Sequence, residues 1–155
     1  MDQTFSPWLR WVDRNQLGEI LKFPGVYVIA LSEKNLASTP FEWSEEIIYI
    51  GMTNSKGGLK SRLQQFENTI KGKSGHGGAE RVRHKHGDYN LLVPGLFVPV
   101  NYTECDVSSN KSSDLQLMGK VAQQEYECFA VFVEKFPNHP FQVPEFNNKQ
   151  KSQKK

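Results

Sequence analysis

Cysteine is scarce in this chain, and the two cysteines present do not form a motif. Cys105 and Cys128 are the only ones among 155 residues, and they are not paired as C-x-x-C. Two cysteines are too few for a disulfide framework. We therefore interpret them as buried free thiols.

Long apolar runs are also missing. No stretch approaches the roughly 20 apolar residues needed to cross a bilayer, and the N-terminal MDQTFSPWLRW lacks the basic start and apolar segment of a signal peptide. From this we expect no membrane partner and a cytoplasmic location.

Strong net charge is absent as well, since the formal charge is only +2. The charge is unevenly distributed, because residues 56–86 hold eight lysines and arginines against two glutamates. A basic patch that faces nucleic-acid phosphate and an ordinary solvated helix surface explain this excess equally well.

Three apolar runs predict β-strands. They are VYVIAL at 26–31, IIYI at 47–50 and LFVPVNYTE at 96–104. Pro99 favours an edge position for the third, because proline cannot donate to a strand ladder. The first two strands are close enough in sequence to form an antiparallel hairpin, and strands mixed with helices indicate the α+β class.

Helical signals flank these strands. Ser6 and Pro7 resemble an N-cap and first helical position, which predicts a leading helix or two short ones. One helical face is formed by Leu59, Leu63, Phe66 and Ile70. That helix should end near Gly72, before a glycine-rich loop at 72–80.

A helix of about six turns is predicted near the C-terminus. Ser112, Ser113 and Asp114 offer N-caps to it, and it should end before Pro137. The segment 81–88 fits either a short helix or a basic loop. With no internal repeat, residues 1–147 are predicted to form one domain, and residues 148–155 a disordered basic tail.

Two charged residues lie on or beside predicted apolar helix faces. Arg62 falls at the rim of the face formed by the 59–70 stripe. Glu125 falls near the middle of the face formed by Val121, Cys128, Phe129, Phe132 and Phe136. Because an unpaired buried carboxylate is costly, Glu125 should be paired with Arg62, protonated, bound to a metal or placed at the mouth of a cleft.

Two triplets change the interpretation of these charges. The chain carries GVY at 25–27 and YIG at 49–51, followed by Arg62 within a helix and Glu125 on a later helix. In this order they resemble the GIY-YIG nuclease family, and the resemblance covers about residues 23–147. It implies a small three-stranded antiparallel sheet flanked by helices.

The resemblance also implies a set of catalytic roles. Tyr49 would be the general base, Tyr27 would help position the water, Arg62 would hold the phosphate, and Glu125 would bind one Mg²⁺ or Mn²⁺ ion. Since a phenol has a pKa near 10, a neighbouring cation or metal-bound water should lower the pKa of the base.

A C-terminal asparagine often supports the site in this family. Asn147, which ends PEFN at 144–147, fits that position, and Asn138 is the alternative. Gly51, which has no Cβ, would let a phosphate approach the backbone.

DNA is the expected partner. The residues expected to contact it are Gly51, Lys56, Lys71, Lys73, Arg81, Arg83 and Lys85.

This chain departs from the family pattern in three places. Residues 32–45 form an insertion that either contacts DNA or is simply a loop. Phe66 stands where relatives often carry a histidine or tyrosine, and His76 either replaces that group or is a solvated loop residue. Met52 stands where some relatives carry a lysine, and Lys56 or Lys60 is the candidate replacement.

Two other function classes remain open. One is a catalytically impaired nucleic-acid-binding module, suggested by Phe66 and Met52. The other is a protein-interaction domain in which the charged residues form only a structural cluster. A zinc site at His76, His84 and His86 is disfavoured, because their spacing does not match a four-ligand site.

Overall fold

The computed structural model describes residues 4–148. Residues 1–3 and 149–155 lie outside this range. The predicted disordered tail, residues 148–155, therefore lies outside the described residues except for Asn148. The elements are β1 (Leu9–Arg10), a 3₁₀ helix (Trp11–Lys22), β2 (Gly25–Leu31), β3 (Ile47–Thr53), α1 (Gly58–Ile70), α2 (Gly77–His86), α3 (Tyr89–Leu92), a 3₁₀ turn (Val93–Gly95), β4 (Leu96–Val98), β5 (Val100–Tyr102), α4 (Ser112–Lys135) and a final 3₁₀ turn (Glu145–Asn147).

The fold is α+β, but the sheet is larger than the predicted three strands. Within residues 4–148 it has five antiparallel strands: β1, β4, β2 and β3 follow one another, and β5 also pairs with β2. The predicted third strand is divided at Pro99 into β4, which pairs with two strands, and β5, which pairs with β2 alone. Pro99 has no N–H to donate, and its carbonyl accepts a 3.4 Å hydrogen bond from Val28 N.

The prediction of a helix beginning at Pro7 is wrong. Ser6 pairs with strand β5 instead, since its N–H donates to Val100 O at 2.8 Å and its Oγ accepts from Val100 N at 3.0 Å. The helical segment begins only at Trp11, and Gly18 breaks it with φ 68° and ψ −133°. Two short helical pieces, one of the two predicted alternatives, are therefore present.

Strand β2 is buried on both faces, which explains its uninterrupted apolar sequence. Val26, Val28 and Ala30 pack into one core cluster, which also contains Val121, Cys128 and Phe132 of α4. Tyr27 and Ile29 pack on the opposite face, against α1, α2 and Trp11. The alternation of side chains along a strand thus assigns Tyr27 to the α1–α2 face of the sheet.

The long helices match the sequence well, apart from where two of them begin. Helix α1 ends at Ile70, close to the predicted end. The predicted loop at 72–80 is too long, because α2 begins at Gly77 and continues through residues 81–86 of the segment left open as helix or loop. Helix α4 is capped at Lys111 without a side-chain bond, while Asp114 Oδ1 instead accepts from Asp106 N at 3.1 Å.

The insertion at 32–45 is an ordered loop that packs on the sheet. Phe41 lies 4.5 Å from Phe5 and 5.1 Å from Trp43 between ring centroids. The main chain of Trp8 exchanges hydrogen bonds with Ser38 and Thr39. This aromatic cluster gives the insertion a structural role, and contact with DNA stays a prediction.

The thiol predictions are half right, because Cys128 is buried whereas Cys105 is only partly buried, and both are free. Within residues 4–148, no helix combines the length and apolar character needed to cross a membrane.

Candidate active site

Tyr27 and Tyr49 lie side by side on one face of the sheet. Tyr27 is opposite Gly51 and Tyr49 is opposite Ile29, so the tyrosines are diagonal neighbours with ring centroids 6.1 Å apart. A Cβ on Gly51 would lie 2.5 Å from the Tyr27 hydroxyl. The space that we expected a phosphate to use is therefore occupied by Tyr27, and this packing requires the glycine.

His76 closes the pair from α2. It is 1% exposed, and its Nε2 lies 2.9 Å from the Tyr27 hydroxyl. Its Nδ1 accepts a 3.2 Å hydrogen bond from Ala79 N, which makes His76 the N-cap of α2. The interpretation of His76 as a solvated loop residue is thus wrong.

Phe66 packs beside this histidine. The two ring centroids are 5.1 Å apart, and the His76 ring lies 5.4 Å from that of Tyr49. The structure therefore places an imidazole next to the position where the sequence lacks a polar residue on α1.

Arg62 lies at the rim of α1, as its position on the helix predicts. It is half-buried, and its Nη1 donates to Gln65 Oε1 at 2.7 Å. Its positive charge acts to lower the pKa of Tyr27 and of Tyr49. Arg62 therefore lies close enough to act on both tyrosines while part of it stays in contact with solvent.

Glu125 of α4 is also half-buried. Its negative charge acts to raise the pKa of both Tyr27 and Tyr49. The tyrosines and His76 are therefore in contact, and Arg62 and Glu125 lie close enough to act on them through their charges.

The expectation that neighbouring cations lower the pKa of Tyr49 is not met in the free protein. Burial, with the negative charge of Glu125, raises the pKa of Tyr49 more than Arg62, Arg81 and Tyr27 lower it. Burial and the adjacent Tyr49 raise the pKa of Tyr27 well above its usual value. Both phenols are therefore protonated at neutral pH in this state.

The pKa of His76 moves in the opposite direction. Burial, followed by the charge of Arg62, lowers it to about 3. The imidazole is therefore neutral at physiological pH.

Asn147 supports the strand next to the site. Its Oδ1 accepts from Ile50 N and its Nδ2 donates to Ile50 O, both at 2.9 Å. Asn138, the alternative, is exposed and lies three residues after the end of α4. Asn147 is thus the asparagine next to Tyr49 and Gly51.

Four of the predicted DNA-contacting cations have partners within the protein. Lys71 Nζ lies 3.0 Å from Glu67 Oε2, and Lys85 Nζ lies 2.7 Å from Glu145 Oε2. Arg81 Nε donates to Phe146 O at 2.8 Å.

Arg83 is the fourth. Its Nη1 donates to Thr69 O at 2.9 Å and to Lys73 O at 3.1 Å. These bonds hold α2 to the end of α1, and those of Arg81 and Lys85 hold it to the C-terminal segment. Lys56, Lys60 and Lys73 are exposed.

Within residues 4–148, no three or more histidine, cysteine, aspartate or glutamate side chains cluster as metal ligands. His84 and His86 are exposed, whereas His76 is buried against Tyr27, so the three do not form a zinc site. In the described part of the chain, Glu125 is a carboxylate whose charge acts on both tyrosines, and one carboxylate is enough to hold a metal that takes its other ligands from water and phosphate.

Sequence reasoning missed two contacts of α2. Gly78 packs so closely on Tyr49 that a Cβ would lie 2.3 Å from its ring, and Arg81 is near enough to influence the pKa of Tyr49. The adjacent glycines Gly77 and Gly78 are the signal that could have indicated a close approach.

Comparisons with protein families, with curated proteins and with solved structures find no significant match to this chain.

Proposed function

We propose that this protein is a metal-dependent endonuclease of the GIY-YIG type that hydrolyses DNA phosphodiester bonds. One observation carries the proposal: Tyr27 and Tyr49 lie on adjacent strands with ring centroids 6.1 Å apart, and the charges of Arg62 and Glu125 from two other elements act on both. Hydrolysis of a phosphodiester needs a base for water, a cation for the phosphoryl oxygens and stabilisation of the leaving oxygen. The residue types at this site match those needs.

Tyr49 is the proposed general base. Its side chain keeps 9% of its surface accessible, whereas Tyr27 is fully buried. Only Tyr49 of this pair can therefore meet a water molecule next to a bound phosphate. Tyr27 acts through Tyr49, which modifies the direct water-positioning role that the family resemblance implies.

Arg62 is the proposed phosphate ligand. It is half-buried at the rim, and its guanidinium can form paired hydrogen bonds with phosphate oxygens. The same guanidinium acts against the raised pKa of both tyrosines. One side chain thus binds the substrate and favours deprotonation of the base.

Glu125 is the proposed holder of Mg²⁺ or Mn²⁺. A half-buried carboxylate suits a hard cation that keeps several waters. When bound, such an ion supplies charge stabilisation to the departing oxygen and lowers the pKa of nearby groups. Glu125 itself contributes the negative charge that attracts the ion to this end of the sheet.

The DNA backbone is proposed to contact the exposed lysines Lys56, Lys60 and Lys73. Such contacts set affinity rather than sequence preference. The paired cations of α2 contribute positive potential near the site while holding the fold together.

A second candidate is a DNA-binding module without cleavage. The observation in its favour is the raised pKa of Tyr49, together with the low exposure of both tyrosines. It predicts salt-sensitive DNA binding without metal-dependent cleavage.

A plasmid-nicking assay with Mg²⁺ or Mn²⁺, compared with EDTA, separates the two candidates. Tyr49→Phe and Glu125→Ala should each abolish conversion of supercoiled DNA. Tyr126→Phe and Glu127→Ala are the matched controls, because Tyr126 is 74% exposed and Glu127 Oε2 accepts from Gln123 on the same helix. Full cleavage by Tyr49→Phe would reject Tyr49 as the base, and binding without cleavage by the unmodified protein would favour the second candidate.

A further inference from the structure

His76 makes two hydrogen bonds that fix which of its ring nitrogens carries the proton. Nδ1 lies 3.2 Å from Ala79 N, and a backbone N–H can only donate. Nδ1 therefore has no proton. Because the ring is neutral, its single proton is on Nε2.

The proton on Nε2 determines the direction of the next hydrogen bond. Nε2 lies 2.9 Å from the Tyr27 hydroxyl, so His76 donates and Tyr27 accepts. The guanidinium of Arg62, which can only donate, lies close enough to act on the same hydroxyl. A phenolic oxygen that accepts from His76 must direct its own proton to another acceptor.

Tyr49 is the neighbour that can receive this proton. The two tyrosines are diagonal neighbours on adjacent strands with ring centroids 6.1 Å apart, and Tyr27 acts to lower the pKa of Tyr49, as a donor to its oxygen would. The direction is then the same throughout: Ala79 N–H to His76, His76 to Tyr27, and Tyr27 to Tyr49.

We propose that His76 is a positioning residue that directs the Tyr27 hydroxyl toward the oxygen of Tyr49, so that Tyr49 is the tyrosine that loses its proton to act as base. This inference rests on the proposed nuclease function. In the series Ala79, His76, Tyr27 and Tyr49, each group donates to the next, and the last donor is directed at the oxygen of Tyr49. This arrangement stabilises a phenolate at Tyr49. In the resting state it turns the hydroxyl proton of Tyr49 away from Tyr27. His76 and Tyr27 touch no substrate, because both are buried.

Two substitutions separate the two functions of the imidazole. Asn places a polar group near the position of Nδ1, so His76→Asn keeps the cap on α2 but cannot reach Tyr27. Gln places an amide near the position of Nε2, so His76→Gln keeps a donor to Tyr27 and weakens the cap. If His76 is a positioning residue, cleavage is retained in His76→Gln, which keeps the donor to Tyr27. Thermal stability is retained better in His76→Asn, which keeps the cap on α2.

The first experiment measures the tautomer in the free protein. Long-range ¹H–¹⁵N spectra of histidine-labelled protein should show His76 neutral with its proton on Nε2 at pH 7 and at pH 5. The signals of His76 are identified by their loss in His76→Asn. A proton on Nδ1, or a charged ring at pH 7, would overturn the inference whether or not the protein cleaves DNA.

The second experiment measures cleavage rate alongside the melting temperature. We expect His76→Gln to stay within about 3-fold of the unmodified protein and His76→Asn to lose about 10-fold or more. Equal rates for both variants, or losses that follow melting temperature alone, would reject the positioning role. If the unmodified protein cleaves no DNA while the tautomer is as expected, the nuclease proposal fails and the hydrogen-bond direction stands.

Discussion

The side-chain amide of Asn147 pairs with the main chain of Ile50 as another strand would. Its two 2.9 Å hydrogen bonds satisfy both the N–H and the C=O of Ile50 on the side of β3 that faces away from β2. Ile50 lies between Tyr49 and Gly51, so the C-terminal segment fixes the edge of the sheet where the two tyrosines meet. The same segment is bonded to α2 through Arg81 and Lys85.

Removal of the Asn147 amide should loosen this edge. Asn147→Ala loses two hydrogen bonds and leaves two main-chain groups without this partner, so we expect a loss of about 1–3 kcal/mol in the free energy of unfolding. Cleavage should decrease with it. Asn110→Ala, in an exposed loop, is the control and should leave both unchanged. Urea unfolding of the two variants measures the difference, and equal stabilities would contradict the role of Asn147.

Glycine at position 51 should be required by packing. In Gly51→Ala the new methyl group would overlap the Tyr27 hydroxyl and the Tyr49 ring, at 2.5 and 2.8 Å. We expect destabilisation of about 1–3 kcal/mol and loss of cleavage, because the tyrosines must shift.

Gly119→Ala is the matched control, since a Cβ there meets no atom within 4 Å on α4. It should stabilise the helix by about 0.5–1 kcal/mol. Thermal denaturation of both variants tests the pair, and a Gly51→Ala protein as stable as the unmodified one would contradict the packing argument.

The stability of the protein should decrease in mild acid because of His76. Its pKa is about 3 in the folded protein against 6.5 for an unperturbed histidine. Between these values the unfolded chain binds one more proton, so the contribution of His76 is complete above pH 6.5 and is lost as the pH falls toward 3. The slope attributable to this residue is at most about 1.4 kcal/mol per pH unit.

The measurement is the difference in unfolding free energy between the unmodified protein and His76→Asn at several pH values. This difference removes the contribution of the carboxylates, which titrate in both proteins. A difference that does not change between pH 7 and pH 5 would contradict the lowered pKa.

The basic residues should divide into two groups. Lys56→Ala combined with Lys60→Ala should weaken DNA binding and reduce its salt dependence, with little change in melting temperature, because both lysines are exposed. Arg83→Ala should lower the melting temperature instead, because two carbonyls of the α1–α2 connection lose their donor. Gel shifts at two salt concentrations, with thermal melts, distinguish the groups. Unchanged binding by the double variant would remove these lysines from the interface.

Local patterns were sufficient for much of the fold. The apolar run VYVIAL predicts β2, and the spacing from Leu59 to Ile70 predicts α1 with Arg62 at its rim. Both predictions are confirmed, because strand-length apolar runs and helical spacing are local properties of the chain. The first turn of α2 was missed, because two of its residues, Gly77 and Gly78, have little helical preference and its N-cap is a histidine.

The sequence by itself was sufficient to select Tyr27, Tyr49, Arg62 and Glu125 as candidate site residues and to predict the strands and helices that carry them. Only the tertiary structure decided that His76 is buried and hydrogen-bonded to Tyr27, that the pKa of Tyr49 is raised, and that Arg81 and Arg83 bond to main-chain carbonyls. The reason is that burial and hydrogen-bond partners depend on segments far apart in the chain. The environment of Tyr49 is made by the packing of α1 and α2, with the charge of Glu125 from α4, and no local pattern records how closely the helices pack.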